Sequence, residues 1–106
     1  MLSPAVCWTM PKITHEDARG LMQNLPGWSL EGETLRRRFT FPGFADAIAF
    51  VVRLGFDAEA ADHHPEILID YKRVTLGFTT HSAGGLTKRD FDGAEAASAL
   101  ATRMGG

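Results

Sequence analysis

Cysteine is almost absent from this chain of 106 residues, which carries it only at position 7. A single thiol excludes an internal disulfide and any zinc cluster built on several thiolates. Cys7 also lies in a stretch with two prolines and no apolar periodicity. We therefore predict that residues 1–13 form a flexible N-terminal extension and that residues 14–106 form one domain.

Long hydrophobic runs and an excess of one charge are also missing. The longest apolar run, Ala47 to Val52, is far shorter than the roughly 20 residues that cross a bilayer, and the first residues lack the basic region of a signal peptide. Eleven basic residues nearly balance thirteen acidic ones, so no overall field attracts nucleic acid or an anionic membrane. We expect a cytoplasmic protein with no membrane and no nucleic-acid partner.

The apolar pattern predicts the element order α-β-β-α-β-β-α. Helix signals cover residues 14–25, 43–61 and 87–104, and alternating hairpin patterns cover residues 28–41 and 67–79. Two hairpins can form one sheet, and the apolar faces of the helices can cover one side of it. The predicted fold is α+β, a two-layer sandwich of a four-stranded antiparallel sheet with three helices on one face.

The middle helix has apolar residues at spacings of three and four, which predicts a single buried stripe. Its members are Phe44, Ala47, Ile48, Val51, Leu54 and Ala58. In the first hairpin, strand alternation sends Arg36 and Arg38 to one face and Arg37 to the other. This separation favours a solvated strand face over an anion-binding patch.

The segment from Glu59 to Asp90 holds three of the four histidines, and imidazole is the side chain that titrates near neutral pH. If the middle helix continues to His63, Glu59 is four residues away on the same side and can orient that ring. A surface pair that closes the helix is the alternative interpretation. The pattern predicts acid-base chemistry.

His63 and His64 are predicted to point away from the chain in different directions, and His81 is predicted to lie on the polar face of the sheet. His64 precedes Pro65, so it takes an extended conformation and its ring leaves the chain in a different direction from that of His63. His81 shares the parity of the polar positions of its strand, and Gly77 leaves room on that face. We expect the rings of His63 and His64 to flank a ligand.

Two other chemistries are less favoured by the sequence. Three histidines and a carboxylate can hold zinc or iron, but neighbouring histidines rarely bind one ion, and no metal-binding spacing is present. Ser82 and Cys7 lack the setting of an activated nucleophile. Asp90 can also have a purely structural role, because the pattern Thr87-x-x-Asp90 is typical of a helix cap.

The pattern Glu59-x-x-x-His63-His64-Pro65, with Tyr71, His81 and Asp90 at these intervals, resembles the signature of pterin-4a-carbinolamine dehydratases. The resemblance covers residues 14 to 104. It implies dehydration of a 4a-hydroxytetrahydropterin to the quinonoid dihydropterin without metal or organic cofactor, in pterin recycling beside an aromatic amino acid hydroxylase. It further implies three catalytic histidines surrounded by substrate-contacting residues: His63, His64 and His81, with Glu59, Asp62, Pro65, Arg89 and Asp90.

Within this resemblance we expect His63 and His81 to transfer protons, Glu59 to orient His63, and His64 to hold the pterin. Asp62 and Asp90 are expected to accept hydrogen bonds from the donor-rich amino-pyrimidine edge. Unpaired edges of a small sheet favour a homodimer or homotetramer. The alternative function is a non-catalytic binding module, because animal members act as transcriptional coactivators and relatives with a degraded signature are assembly factors.

Overall fold

The computed structural model describes residues 12–106 and contains three α-helices, four strands and one short 3₁₀ helix. In chain order these are α1 (His15–Met22), β1 (Ser29–Glu31), β2 (Thr34–Thr40), α2 (Phe44–Ala61), β3 (Glu66–Asp70), β4 (Arg73–Phe78), the 3₁₀ helix (His81–Ala83) and α3 (Lys88–Arg103). The predicted α-β-β-α-β-β-α order is confirmed. Most of the predicted N-terminal extension lies outside the described residues, but Ile13 donates its backbone N–H to the Leu86 carbonyl at 2.7 Å and packs against the core.

The four strands form one antiparallel sheet in the order β1-β2-β4-β3. Leu35 and Phe39 of β2 pair with Phe78 and Val74 of β4, and all four side chains are buried on the face that the helices cover. The opposite face carries the polar residues of the same strands. The prediction of two hairpins joined into one sheet is therefore confirmed, and we call the uncovered side the open face.

Helices α2 and α3 pack against each other and against the central strands, and α1 joins the same core through Ala18 and Met22. On α2 the buried residues are Ala47, Phe50, Leu54 and Ala58. The predicted stripe was wrong at one end, because Phe44 is 52% exposed, and it omitted Phe50, which is fully buried. The reason is that apolar residues occupy more of the α2 circumference than the sheet can cover.

Apolar side chains outside the core are concentrated on two surfaces. One is the outer side of α2, where Phe44, Val52 and Phe56 are exposed at multiples of four residues. The other is the edge strand β3, all of whose residues are exposed, including Leu68 at 61%. Among residues 12–106, no helix is both long and apolar enough to cross a membrane.

Candidate active site

The chain leaves α2 through a left-handed residue, and this exit sets the direction of the two adjacent histidines. Asp62 has φ 52° and ψ 41°, and its amide donates back to the carbonyls of Ala58 and Glu59. The His63 amide also donates to the Ala58 carbonyl, at 3.1 Å. These bonds satisfy carbonyls that the end of a helix leaves without partners. His63 therefore lies outside the helix.

His63 is bound to a buried carboxylate. Its Nε2 lies 2.5 Å from Oδ1 of Asp90, and the exposed fractions of the two side chains are 11% and 0%. The imidazole stacks on Phe78 with ring centroids 6.1 Å apart and an interplanar angle of 26°. If Nε2 carries the hydrogen that Asp90 accepts, Nδ1 holds the free lone pair of the ring.

Asp90 is the centre of a fully buried polar network. Its Oδ2 accepts hydrogen bonds from the Thr80 hydroxyl at 2.7 Å and from the Thr87 amide at 2.9 Å, and the two threonine hydroxyls lie 2.9 Å apart. The helix cap predicted for Thr87 and Asp90 is present at the start of α3. Both oxygens of Asp90 are therefore occupied by contacts within the protein, and the expected contact of Asp90 with substrate stays a prediction.

Glu59 contacts a different histidine from the one predicted. Its Oε1 lies 2.7 Å from Nε2 of His64, and both side chains are well exposed. The predicted contact of Glu59 with His63 was wrong because it assumed that α2 continues to residue 63. The left-handed turn at Asp62 ends the helix two residues earlier, so the i, i+4 geometry does not extend to His63.

His64 and His81 line the same cleft. His81 begins the 3₁₀ helix that follows β4, after the antiparallel bridge between Thr80 and Gly85. The cleft has a volume of about 150 Å³ and opens on the open face of the sheet. Its other lining residues are Thr34, Arg36, Glu66, Gly77 and Thr79. The rings of His64 and His81 therefore share this cleft, whereas the expectation that His63 and His64 flank a ligand stays a prediction.

Gly77 forms the floor of this cleft beside an ion pair that sequence reasoning missed. Arg36 donates to Glu66 at 3.0 Å and is also 3.1 Å from Glu31. A Cβ atom at Gly77 would lie only 3.2 to 3.4 Å from Thr34, Arg36 and Glu66. Arg36 and Glu66 both pair with Gly77 in the strand register, so only the strand register reveals that they meet.

A second cavity, of about 270 Å³, lies between α2 and α3 on the other side of the histidine segment. Its lining is mainly apolar and includes Leu54, Ala58 and Phe78, with His63 and Arg89 among the polar groups. The His63-His64 segment therefore separates two openings, and each opening receives one of the two rings.

Four other residues that the sequence analysis singled out lie in different parts of the structure. Arg89 donates from Nη2 to the carbonyls of Ala61 and Asp62, at 2.8 and 2.6 Å. The side chain of Asp62 is exposed, and Pro65 lies between His64 and the start of β3. Tyr71 lies at the opposite end of β3, in the turn to β4, with a positive φ of 57°. Its ring is 60% exposed and is not brought to the histidines.

No group of three or more His, Cys, Asp or Glu side chains within residues 12–106 is arranged to hold a metal ion. The acidic partners are instead divided between the two histidines. Each imidazole has one carboxylate, buried for His63 and exposed for His64. Such pairs can hold an imidazole in one orientation and tautomer.

Comparison with known proteins identifies the family. The family model for pterin 4 alpha carbinolamine dehydratase matches residues 11–100. Proteins named as pterin-4-alpha-carbinolamine dehydratases from Roseiflexus sp. (strain RS-1) and Picosynechococcus sp. (strain PCC 7002) are 55% and 47% identical to this chain over 81 residues. These alignments cover 76% of this chain and 87% and 88% of the relatives.

Solved structures agree with the sequence comparison. The crystal structure of a transcriptional coactivator/pterin dehydratase from Brucella melitensis has a TM-score of 0.81 and 34% identity, covering 85% of this chain and 98% of that one. A pterin dehydratase-like protein that is a RuBisCO assembly factor in the alpha-carboxysome, at a TM-score of 0.58 and 24% identity, covers 70% of this chain and 86% of that one and shares the fold. The chain therefore belongs to the pterin-4a-carbinolamine dehydratase family of hydro-lyases.

Proposed function

We propose that this protein removes water from a 4a-hydroxytetrahydropterin to give the quinonoid dihydropterin, by acid-base catalysis with histidine. The observation that carries the proposal is the polar cleft between His64 and His81, with the Asp90-bound ring of His63 at the adjacent chain position. Family membership supplies the substrate class. The cleft supplies groups that can move protons near neutral pH.

The reaction needs one proton donor and one proton acceptor. The bond from C4a to its hydroxyl oxygen breaks, an imidazolium protonates that oxygen, and water leaves. A ring nitrogen loses its proton to a neutral imidazole, and its electron pair forms the new carbon–nitrogen double bond. After the reaction, the histidine that acted as the acid has lost a proton and the histidine that acted as the base has gained one. Exchange with solvent restores the starting protonation states, and the reaction as written uses no metal or organic cofactor.

We assign His63 as the base and His81 as the acid, and His64 with Glu59 as a binding pair for the pterin. A buried carboxylate that holds one ring nitrogen leaves the other with a fixed lone pair, which suits His63 to accept a proton. His81 lies at the cleft and is exposed, so solvent can reprotonate it. The substrate would rest between His64 and His81, beside Asp62 and Pro65, and the assignment of His63 requires that the proton-losing edge of the pterin reach across the His63-His64 segment to that ring.

We also propose the setting in which the enzyme works. An aromatic amino acid hydroxylase produces a substrate of this class when it consumes its tetrahydropterin. The proposed role is therefore pterin recycling in the cytoplasm. The near balance of acidic and basic residues gives no overall attraction to nucleic acid or to an anionic membrane. A small-molecule substrate is therefore the proposed partner.

A second copy of the chain is the proposed occupant of the exposed apolar surfaces. Among residues 12–106 no strand pairs with the outer side of β3, which carries Ile67, Leu68 and Ile69, and an edge of this kind is usually paired or protected. The exposed side of α2 adds Phe44, Val52 and Phe56 as a separate apolar patch. Two such surfaces on one subunit support a homodimer or homotetramer.

The alternative is a protein-binding role on the same fold. It is favoured by the likeness to the Brucella melitensis protein, which is described as a transcriptional coactivator as well as a pterin dehydratase. The three histidines, two of which are paired with carboxylates, favour the enzyme, because a binding surface does not require paired acid-base groups. Activity measurements separate the two functions.

The test is the rate at which 4a-hydroxytetrahydropterin, formed by a hydroxylase, loses water with and without this protein. We expect acceleration over the spontaneous reaction. His63→Ala and His81→Ala should each lower kcat by about 100-fold to 10,000-fold, the usual loss for one positioned acid or base. His64→Ala should chiefly raise KM.

Two results would change the proposal. A wild-type protein that gives no acceleration would leave the protein-binding role in its place. If His64→Ala lowers kcat while His63→Ala leaves it unchanged, the acid-base pair consists of the two histidines that face the cleft, and the assignment of His63 fails.

A further inference from the structure

The end of α2 is held by a side chain from the start of α3. Nη2 of Arg89 donates one hydrogen bond to the Ala61 carbonyl at 2.8 Å and another to the Asp62 carbonyl at 2.6 Å. The last carbonyls of a helix lack intrahelical partners and form the negative end of the helix dipole. A guanidinium satisfies both requirements because it offers several fixed donors and a permanent positive charge.

The clamped carbonyls belong to the turn that aims the histidines. Asp62 adopts the left-handed conformation, which is unfavourable for a residue with a side chain and needs support from its surroundings. His63 and His64 follow immediately. Any movement of the Asp62 peptide therefore changes the position of both rings.

The next residue along α3 holds the same segment in a second way. Asp90 binds the His63 ring, while Arg89 binds the backbone one and two residues before it. Neighbouring positions of one helix turn thus fix both the backbone and the ring of the histidine segment. The two hydrogens of Arg89 Nη2 are both used in the backbone contacts.

We propose that Arg89 is a positioning residue for His63 and His64, and that its function is to clamp the exit of α2. This inference rests on the proposed dehydration for its kinetic consequences, and on the hydrogen bonds alone for its structural ones. It replaces the direct substrate contact expected for Arg89 from the family resemblance. Loss of the clamp should impair the proton-transfer geometry more than the binding of the pterin.

The test compares Arg89→Met, Arg89→Lys and the matched control Lys88→Met. Lys88 is adjacent to Arg89 in the same turn, and its one ion pair within residues 12–106 is an exposed pair with Asp92, 3.0 Å away. We expect Arg89→Met to lower kcat by about 10-fold to 100-fold with KM nearly unchanged, since a small misplacement of catalytic groups has costs of this order. Arg89→Lys should recover part of the loss, and Lys88→Met should match the wild type.

A second measurement is independent of turnover. In ¹⁵N NMR spectra the ring resonances of His63 and His64 should shift in Arg89→Met and remain in place in Lys88→Met. If wild-type protein proves inactive as a dehydratase, the proposed function fails while these resonances still decide whether the clamp exists. Should Arg89→Met unfold, Arg89→Lys provides the same comparison in a folded protein.

Two outcomes would overturn the clamp. If Arg89→Met retains its kcat but binds the pterin about ten times more weakly, so that only KM rises, Arg89 is a substrate-binding residue. Unchanged kinetics together with unchanged ring resonances would show that the two backbone hydrogen bonds do not position the histidines.

Discussion

Replacing Asp90 by asparagine tests how the buried network controls His63. The amide oxygen can take the place of Oδ2 and accept the hydrogen bonds from Thr80 and Thr87. The amide nitrogen then faces Nε2 of His63 and can only donate. His63 must accept at Nε2 and carry its hydrogen on Nδ1. Asp90→Asn therefore preserves the cap of α3 but reverses the tautomer of His63.

The cost in stability should be modest. Two of the three hydrogen bonds persist, while the contact with His63 changes from charge-assisted to neutral, which reduces the free energy of unfolding by about 1–2 kcal/mol. For a domain of this size the melting temperature should fall by roughly 4–16 °C. The variant is expected to fold, and thermal unfolding followed by circular dichroism measures the change.

The same substitution should lower kcat strongly, although it lowers the free energy of unfolding only modestly. With hydrogen on Nδ1, the ring presents a donor where the proposed mechanism needs a lone pair. We expect kcat for dehydration to fall by about 100-fold to 10,000-fold, the range for losing one positioned base, with a smaller change in KM. The assay adds variant or wild-type protein to freshly formed 4a-hydroxytetrahydropterin and follows loss of water against the spontaneous rate.

Asp92→Asn is the matched control, because it removes an exposed carboxylate two residues further along α3. It should leave both kcat and the melting temperature close to the wild-type values. The reasoning is refuted if Asp90→Asn keeps its kcat, or if ¹⁵N NMR shows the His63 hydrogen still on Nε2.

The remaining predictions concern the cleft, the oligomer and one surface carboxylate. Gly77→Ala should raise KM several-fold with kcat less affected, because the new methyl group crowds Arg36 and Glu66 at the floor of the cleft; steady-state kinetics measure it. Phe56→Glu should shift the protein toward monomers in light scattering without unfolding it, since this side chain is 70% exposed, and an unchanged particle mass would show that this side of α2 is not an interface. The hydrogen bond from Lys12 holds the pKa of the Glu33 carboxyl below its ordinary value, so Lys12→Met should raise it in an NMR titration. Because that pKa is lowered, the pair favours the folded state above the ordinary carboxyl pKa, and the effect disappears as the pH falls.

The sequence alone predicted the elements and the two faces of the sheet, because these depend on local periodicity. Alternation in β2 and β4 placed Leu35, Phe39 and Phe78 inward, and the structure confirms it. Periodicity was less informative for α2, where apolar residues extend beyond one stripe. Only the limited area of the sheet decides that Phe50 is buried and Phe44 is exposed.

For the candidate site, the sequence did not predict how the acidic residues and the histidines pair. Spacing suggested Glu59 with His63, whereas the structure pairs Glu59 with His64 and His63 with Asp90. This exchange results from the left-handed turn at Asp62, which a one-dimensional pattern does not reveal. The turn is stabilised by Arg89, which is 27 residues away in the chain.

Local rules thus determined that a helix would end before Pro65 and that histidines would follow it. The direction of each ring was decided by tertiary contacts. Burial of Asp90 between α3 and the loop after β4 leaves a carboxylate without water, and His63 provides the partner that such a group requires. His64 faces the open side, where Glu59 is the acceptor within reach. The sequence therefore supplied the candidate residues, whereas the pairing of their side chains depends on contacts between residues far apart in the chain.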